Sequence, residues 1–241
     1  MNIATLAKTK ADNLNNAPGK LSDFDCTICK NKGFVYFTRD NSVISKECSC
    51  MAKRKSLRRI KASGLMSLLQ THTFEAYETP EKWQVAAKKK ACTFSDDPAN
   101  QWFFIAGTPG TGKTHLCTAI AGKLLESGRE VRYMLWREEA PKLKAAVTDR
   151  ELYENEMQKW KKTGVLYIDD FFKGGVTEAD KNLAFEILNA RYISPDAVTI
   201  ISSEKSIEKI LEIDEAIGSR IYERSKNFCI KTPPQNWRLK K

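Results

Sequence analysis

The residues best suited to chemistry begin at GTPGTGKTHL, Gly107 to Leu116, directly after the apolar run QWFFIA. This stretch matches G-x-x-x-x-G-K-[ST] and falls between a predicted strand and a predicted helix, the setting in which the pattern grips phosphate. Gly107, Gly110 and Gly112 let the backbone curl so that successive N–H groups point inward. Thr108, Pro109 and Thr111 complete the loop, and the helix that follows presents its positive N-terminal end. Lys113 is placed to reach the β and γ phosphates of ATP, and Thr114 to offer its hydroxyl to Mg²⁺.

A second set lies in VLYIDDFF, where an apolar strand ends in two adjacent acids. Ionised carboxylates resist burial, and strand alternation sends neighbouring side chains to opposite sides, so a purely structural role for the pair is hard to argue. Asp169 is expected to serve Mg²⁺ and Asp170 the attacking water. Asp170 is one methylene shorter than a glutamate, which suits slow, switch-like hydrolysis. At the end of the next strand TIISSEKS places Ser202, Ser203 and Glu204, from which a polar γ-phosphate sensor is expected, with Ser203 as the candidate contact. DEAIGSRIYERS then sets Arg220 and Arg224 one helical turn apart, as a source of positive charge for a neighbouring subunit's γ-phosphate or as surface ion pairs.

The third set is made of thiols. Four of the seven cysteines fall together as CTIC (Cys26, Cys29) and CSC (Cys48, Cys50), separated by an 18-residue excursion. In a reducing compartment two such pairs suit one tetrahedral Zn²⁺ better than disulfides. Neither histidine lies in this segment, so a single ion needs all four thiolates.

These residues need a frame to hold them. Apolar, β-rich runs at 102–106, 131–136, 165–170, 198–203 and 228–231 alternate with helical patterns at 113–127, 138–161, 178–193 and 206–224. The order is α/β, and five short, mostly apolar strands predict a parallel sheet covered by helices on both faces. Residues 1–20 read as a poorly ordered N-terminus, 21–51 as a four-cysteine zinc module, 52–64 as a basic helical linker and 65–241 as the nucleotide domain.

The chain has 241 residues and a formal charge of +10, of which residues 1–64 carry 13 Lys+Arg against 5 Asp+Glu. The densest part, KRKSLRRIK, suits either nucleic-acid phosphates or a solvated helix face. No apolar run of 18 residues and no signal-peptide core occur, so the expected location is cytoplasmic, away from membranes. A small-molecule kinase is disfavoured, because no Arg-rich lid appears between Lys113 and Gly164. A zinc-dependent DNA-binding regulator with a vestigial ATPase remains a rival.

CTICKNKGFVYF, CSCMAKRKSLRRIKASGL, TFEAYETPEKWQ, FFIAGTPGTGKTHLCTAIA, LYIDDFFKG and GSRIYERS, in this order, resemble the DnaC/DnaI-type replicative helicase loaders across nearly the whole chain. The resemblance implies an AAA+ P-loop NTPase core and an ATP-governed delivery of a hexameric helicase onto single-stranded DNA in replication initiation. It also implies self-association through the ATP site, with Lys113 and Thr114 as the phosphate-loop pair, Asp169 and Asp170 as the acidic motif and Arg220 as the arginine acting in trans. The C-terminal NWRLKK resembles the arginine-containing end of the family and makes Arg238 a candidate nucleotide contact. Lys142, Lys144 and Arg150 are candidates for single-stranded DNA, or part of a solvated amphipathic helix. Phe74, Tyr77 and Trp83 either close over the adenine or pack in the ordinary way. The alternative function is a transposase-helper ATPase of the IstB type, which usually lacks a cysteine module.

Overall fold

The computed structural model describes residues 2–62 and 65–239, with the side chains of all of these but Arg59, Ala62 and Arg238. The chain forms two compact units, residues 1–58 and 59–241.

In the first unit helix α1 (Ile3–Asn16) precedes an antiparallel hairpin of β1 (Phe34–Arg39) and β2 (Ser42–Glu47), and α2 (Cys50–Ala62) follows. Helix α1 corrects the expectation of a poorly ordered N-terminus. Asn2 caps it through the Ala4 N–H, Ala7 and Ala11 are buried, and Asn15 exchanges two hydrogen bonds with the Tyr36 backbone at 2.7 and 2.9 Å. The division between the units falls inside α2.

The second unit holds α3 (Met66–Thr71), α4 (Lys82–Asp96), β3 (Trp102–Ala106), α5 (Lys113–Glu126), β4 (Val131–Leu135), α6 (Trp136–Ala146), α7 (Arg150–Lys162), β5 (Val165–Phe171), α8 (Glu178–Ile193), β6 (Val198–Ser203), α9 (Ile207–Ile213), α10 (Glu215–Ser225), β7 (Cys229–Lys231) and a short 3₁₀ turn (Trp237–Leu239). The five strands form a parallel sheet in the order β4-β5-β6-β3-β7. Strands β3 and β6 are buried at every position, as expected for a sheet covered on both faces. Trp102, Phe104, Ile168, Phe171, Ile187 and Ile201 join the α6, α8 and α10 side chains in one apolar core.

Two predicted helices each divide in two. Asp149 accepts the Leu152 N–H and starts α7, and Asp214 accepts the Ile217 N–H and starts α10. In both places an aspartate cap competes successfully with helix continuation. At the sheet's other end Arg191 is fully buried and donates to the carbonyls of Trp160, Lys161, Thr163 and Val198 and to the Thr199 hydroxyl. It thereby satisfies the last carbonyls of α7.

Candidate nucleotide site and cysteine centre

Strand β3 delivers the chain to the phosphate loop, and the loop is held on both sides. The Gly107 N–H donates to the Ser203 carbonyl at 3.2 Å, and the Thr232 N–H donates to the Ala106 carbonyl at 2.8 Å. Gly110 and Gly112 have φ of +80° and +83°, a backbone region that favours glycine. A Cβ at Gly110 would come within 2.0 Å of Asn236 Oδ1, and one at Gly112 within 2.9 Å of the Tyr77 ring. The segment after β7 therefore lies directly on the loop, with the Trp237 N–H donating to the Gly110 carbonyl at 3.2 Å.

Helix α5 begins at Lys113, at the loop's end. The buried Lys113 ammonium donates to the Gly107 and Thr108 carbonyls, both at 2.8 Å, and burial lowers its pKa while Glu204 and Asp170 oppose that shift. Thr114 Oγ1 donates to Asp169 Oδ1 at 3.2 Å. Asp169 also accepts from Tyr133, at 3.3 Å, and from the Ser202 hydroxyl. Burial, followed by the Asp169 charge, raises the Tyr133 phenol, so it remains a donor.

The two acids owe their placement to a break in the ladder. Strands β5 and β6 pair in register to Ile168↔Ile201 and resume at Phe171↔Ser203, with a bulge between. Asp170 has φ of +55°, and its N–H donates to the Ser202 hydroxyl at 3.2 Å. A bulge re-aims side chains that simple alternation would send apart. Asp169 reaches Thr114, while Asp170 lines a cavity of about 580 Å³ together with Gly110, Gly112, Lys113 and Thr114.

The remaining expectations divide. Ser203 was the expected sensor, but it is fully buried and its hydroxyl donates to the Phe171 carbonyl at 2.7 Å and accepts from the Lys205 N–H at 3.0 Å. Glu204 is the residue of this strand end that lines the cavity. It is joined there by Lys173, a residue the sequence reading missed, which bridges Asp170 at 2.9 Å and Glu204 at 3.1 Å. Arg220 faces elsewhere: its guanidinium donates to Asn189 Oδ1 and the Ala216 carbonyl and lies over the rings of Phe185 and Tyr192. The three candidate DNA cations are paired within the chain, Lys142 with Glu139, Lys144 with Asp180 and Arg150 with Glu154. Tyr77 lines a second cavity of about 650 Å³ with Gln84, His115, Gly112 and Trp237, whereas Phe74 sits beside Lys123. The side chain of Arg238 lies outside the described residues.

In the first unit the sulfurs of Cys26, Cys29, Cys48 and Cys50 lie within 4.8 Å of one another. The Cys26–Cys48 and Cys29–Cys50 separations are 3.9 and 3.6 Å. A tetrahedron with a Zn–S bond of about 2.3 Å has edges of about 3.8 Å, so the donor set and spacing suit such an ion. Burial raises the Cys48 thiol and pushes Cys50 up to about 12, whereas at Cys29 the opposing hydrogen bonds from the Gly33 N–H and the neighbouring sulfurs outweigh burial and bring it down to about 6. Four thiolates this close need a cation to coexist. Arg54, fully buried, braces the site by donating to the Phe24 carbonyl at 2.7 Å and to Asn31 Oδ1 at 2.9 Å, the same oxygen that accepts the Cys26 N–H.

Comparison with known proteins decides the family. The model for IstB-like ATP binding proteins matches residues 4–240. The chain belongs to this family. It is 33% identical over 229 residues to the phage-like element PBSX protein XkdC of Bacillus subtilis, spanning 89% of this chain and 84% of that one. It is 23% identical over 187 residues to the replicative helicase loader DnaC of Escherichia coli, spanning 76% and 74% of the two chains. The fold matches a crystal structure of the DnaC helicase loader with a TM-score of 0.60 at 20% identity, over 70% of this chain and 99% of that one. This member of the IstB/DnaC-like group is thus an ATPase-type protein with an AAA+ P-loop core, and its cysteine cluster is able to hold a metal. Among the described residues no helix is long and apolar enough to cross a membrane.

Proposed function

We propose that this chain is a cytoplasmic, ATP-dependent loader of a hexameric replicative helicase onto single-stranded DNA, with ATP binding and hydrolysis as its switch in replication initiation. The observation that carries the reading is the convergence of Lys113, Thr114, Asp170 and, through Thr114, Asp169 on one phosphate-loop cavity, in a chain similar over most of its length to a helicase loader.

The loop N–H groups and Lys113 take the phosphates, Lys113 exchanging the Gly107 and Thr108 carbonyls for phosphate oxygens. Thr114 Oγ1 and Asp169 are hard oxygen donors that suit Mg²⁺, Asp169 acting directly or through water. When bound, that ion neutralises charge on the β and γ phosphates. Asp170 orients the attacking water and takes its proton, slowly. Tyr77 and Trp237 flank the space next to the loop in which the base fits. Arg220, turned away from its own cavity, serves the γ-phosphate of a neighbouring subunit in a self-associated form. Cys26, Cys29, Cys48 and Cys50 hold one Zn²⁺, and the first unit docks on the helicase.

A second reading, a transposase-helper ATPase, is favoured by the family's IstB-like description. A truncation starting near residue 65 separates the parts: it should retain ATP binding and lose helicase binding. Normal helicase capture by the truncation would assign the first unit another task, and DNA contact by its basic segment becomes the next candidate.

A further inference from the structure

The position at which a γ-phosphate sensor is expected ends in the wrong charge. Ser202 is engaged by Asp169 and by the Asp170 N–H, and Ser203 by the Phe171 carbonyl and the Lys205 N–H, so both hydroxyls hold the acidic loop in shape. The side chain that reaches the cavity is Glu204, and a carboxylate repels phosphate. Glu204 does not stand alone, however. Lys173, three residues after Asp170, places its ammonium 3.1 Å from Glu204 Oε1 and 2.9 Å from Asp170 Oδ2 and lines the same cavity as Lys113 and Thr114.

We infer that Lys173 is the γ-phosphate sensor of this chain, with Glu204 as its counter-ion. The inference rests on the ATP reading above. A γ-phosphate entering the cavity presents several acceptor oxygens and more negative charge than either carboxylate, so it draws the ammonium from Asp170 and Glu204. ADP lacks that group and leaves the bridge in place. Exchange of partners also releases Asp170, so the cation that reads the third phosphate also frees the acid that acts on water. The hydrogen bond from Lys173 to Asp170, stronger than the opposing effect of burial, raises its pKa, so the charge is present throughout the neutral range.

The test is calorimetric titration of the full chain with Mg²⁺-ATP and with Mg²⁺-ADP. Lys173→Met should bind ADP as the unaltered chain does and lose about tenfold in preference for ATP, the worth of one charge-assisted hydrogen bond. Lys173→Arg should keep the preference, and Glu204→Gln, which leaves Lys173 less restrained, should raise it. An unchanged ATP-to-ADP ratio in Lys173→Met, with or without faster hydrolysis, would overturn the inference. If Lys173→Met fails to fold, Glu204→Gln decides, because an effect equal on ATP and ADP overturns the inference as well. An unaltered chain that binds neither nucleotide would instead remove the ATP reading itself.

Discussion

Thr114 Oγ1 and Asp169 Oδ1 stand 3.2 Å apart, joining the first turn of α5 to the end of β5. These residues are 55 positions apart in sequence, and two further hydroxyls, from Tyr133 and Ser202, converge on the same carboxylate. Three donors hold a buried charge in one orientation beside the phosphate loop, which is the preorganisation a metal-assisted phosphate reaction needs.

The two halves of the reaction should separate by mutation. Lys113→Ala should lose Mg²⁺-ATP binding. Asp170→Asn should still bind it and turn over ATP about a hundredfold more slowly, as expected when a water-orienting base is removed. Filter binding and phosphate release measure the two effects, and equal turnover in Asp170→Asn and the unaltered chain would refute the role of Asp170.

Metal content is checked by elemental analysis of protein purified without chelator. About one equivalent of zinc per chain is expected, falling to near zero in Cys29→Ser, because all four ligands are needed to close the tetrahedron. Less than half an equivalent in the unaltered chain would count against the assignment.

Arg191 is a buried cation whose five acceptors come from α7, β6 and the turn between α7 and β5. Burial lowers its pKa to about 9, so it remains charged at neutral pH. Arg191→Met strands those carbonyls and should destabilise the fold by about 3 kcal/mol. Lysine, with one donor centre, should rescue little of this in denaturant unfolding.

The His72 and His115 rings lie with centroids 4.6 Å apart and planes tilted by 46°, and burial holds both below the ordinary value of 6.5. The folded state therefore binds protons less readily than the unfolded one. The stability of their neutral forms is fully present above pH 6.5 and is lost as pH falls through the lowered values. The melting temperature of the unaltered chain should drop more steeply from about pH 7.5 to about pH 5.5 than that of His72→Gln/His115→Gln. Parallel slopes would contradict this.

An intersubunit site should be detectable by mixing. Arg220→Ala and Lys113→Ala are each expected to hydrolyse little ATP alone, but a mixed interface combines an intact phosphate loop with an intact arginine. Partial recovery is the expected outcome. No recovery at any ratio, with co-assembly verified, would mean that Arg220 acts within its own subunit or braces α8 and α10.

Local signals carried the nucleotide site. GTPGTGKT fixes a loop whose geometry follows from three glycines and a helix start, and the five strands were legible because buried parallel strands are apolar throughout. The four clustered cysteines were legible from spacing alone. The breaks at Asp149 and Asp214 were missed because a cap inside a helical pattern is decided by competition between a side chain and the helix for the same N–H groups. Alternation along VLYIDDFF hid the bulge that brings both acids to the loop end of the sheet. Lys173 and Tyr133 left no motif, since their roles arise from contacts made when distant strands and turns meet.

The most direct measurement of the loader reading is binding of the full chain to the hexameric replicative helicase of its own host, immobilised on a sensor surface. Binding is expected in the presence of ATP, with release as ATP is hydrolysed and prolonged retention of Asp170→Asn, which holds ATP and turns it over only slowly. Absence of helicase binding in every nucleotide state, with ATP-dependent binding to a transposase instead, would contradict the account and establish the transposase-helper function.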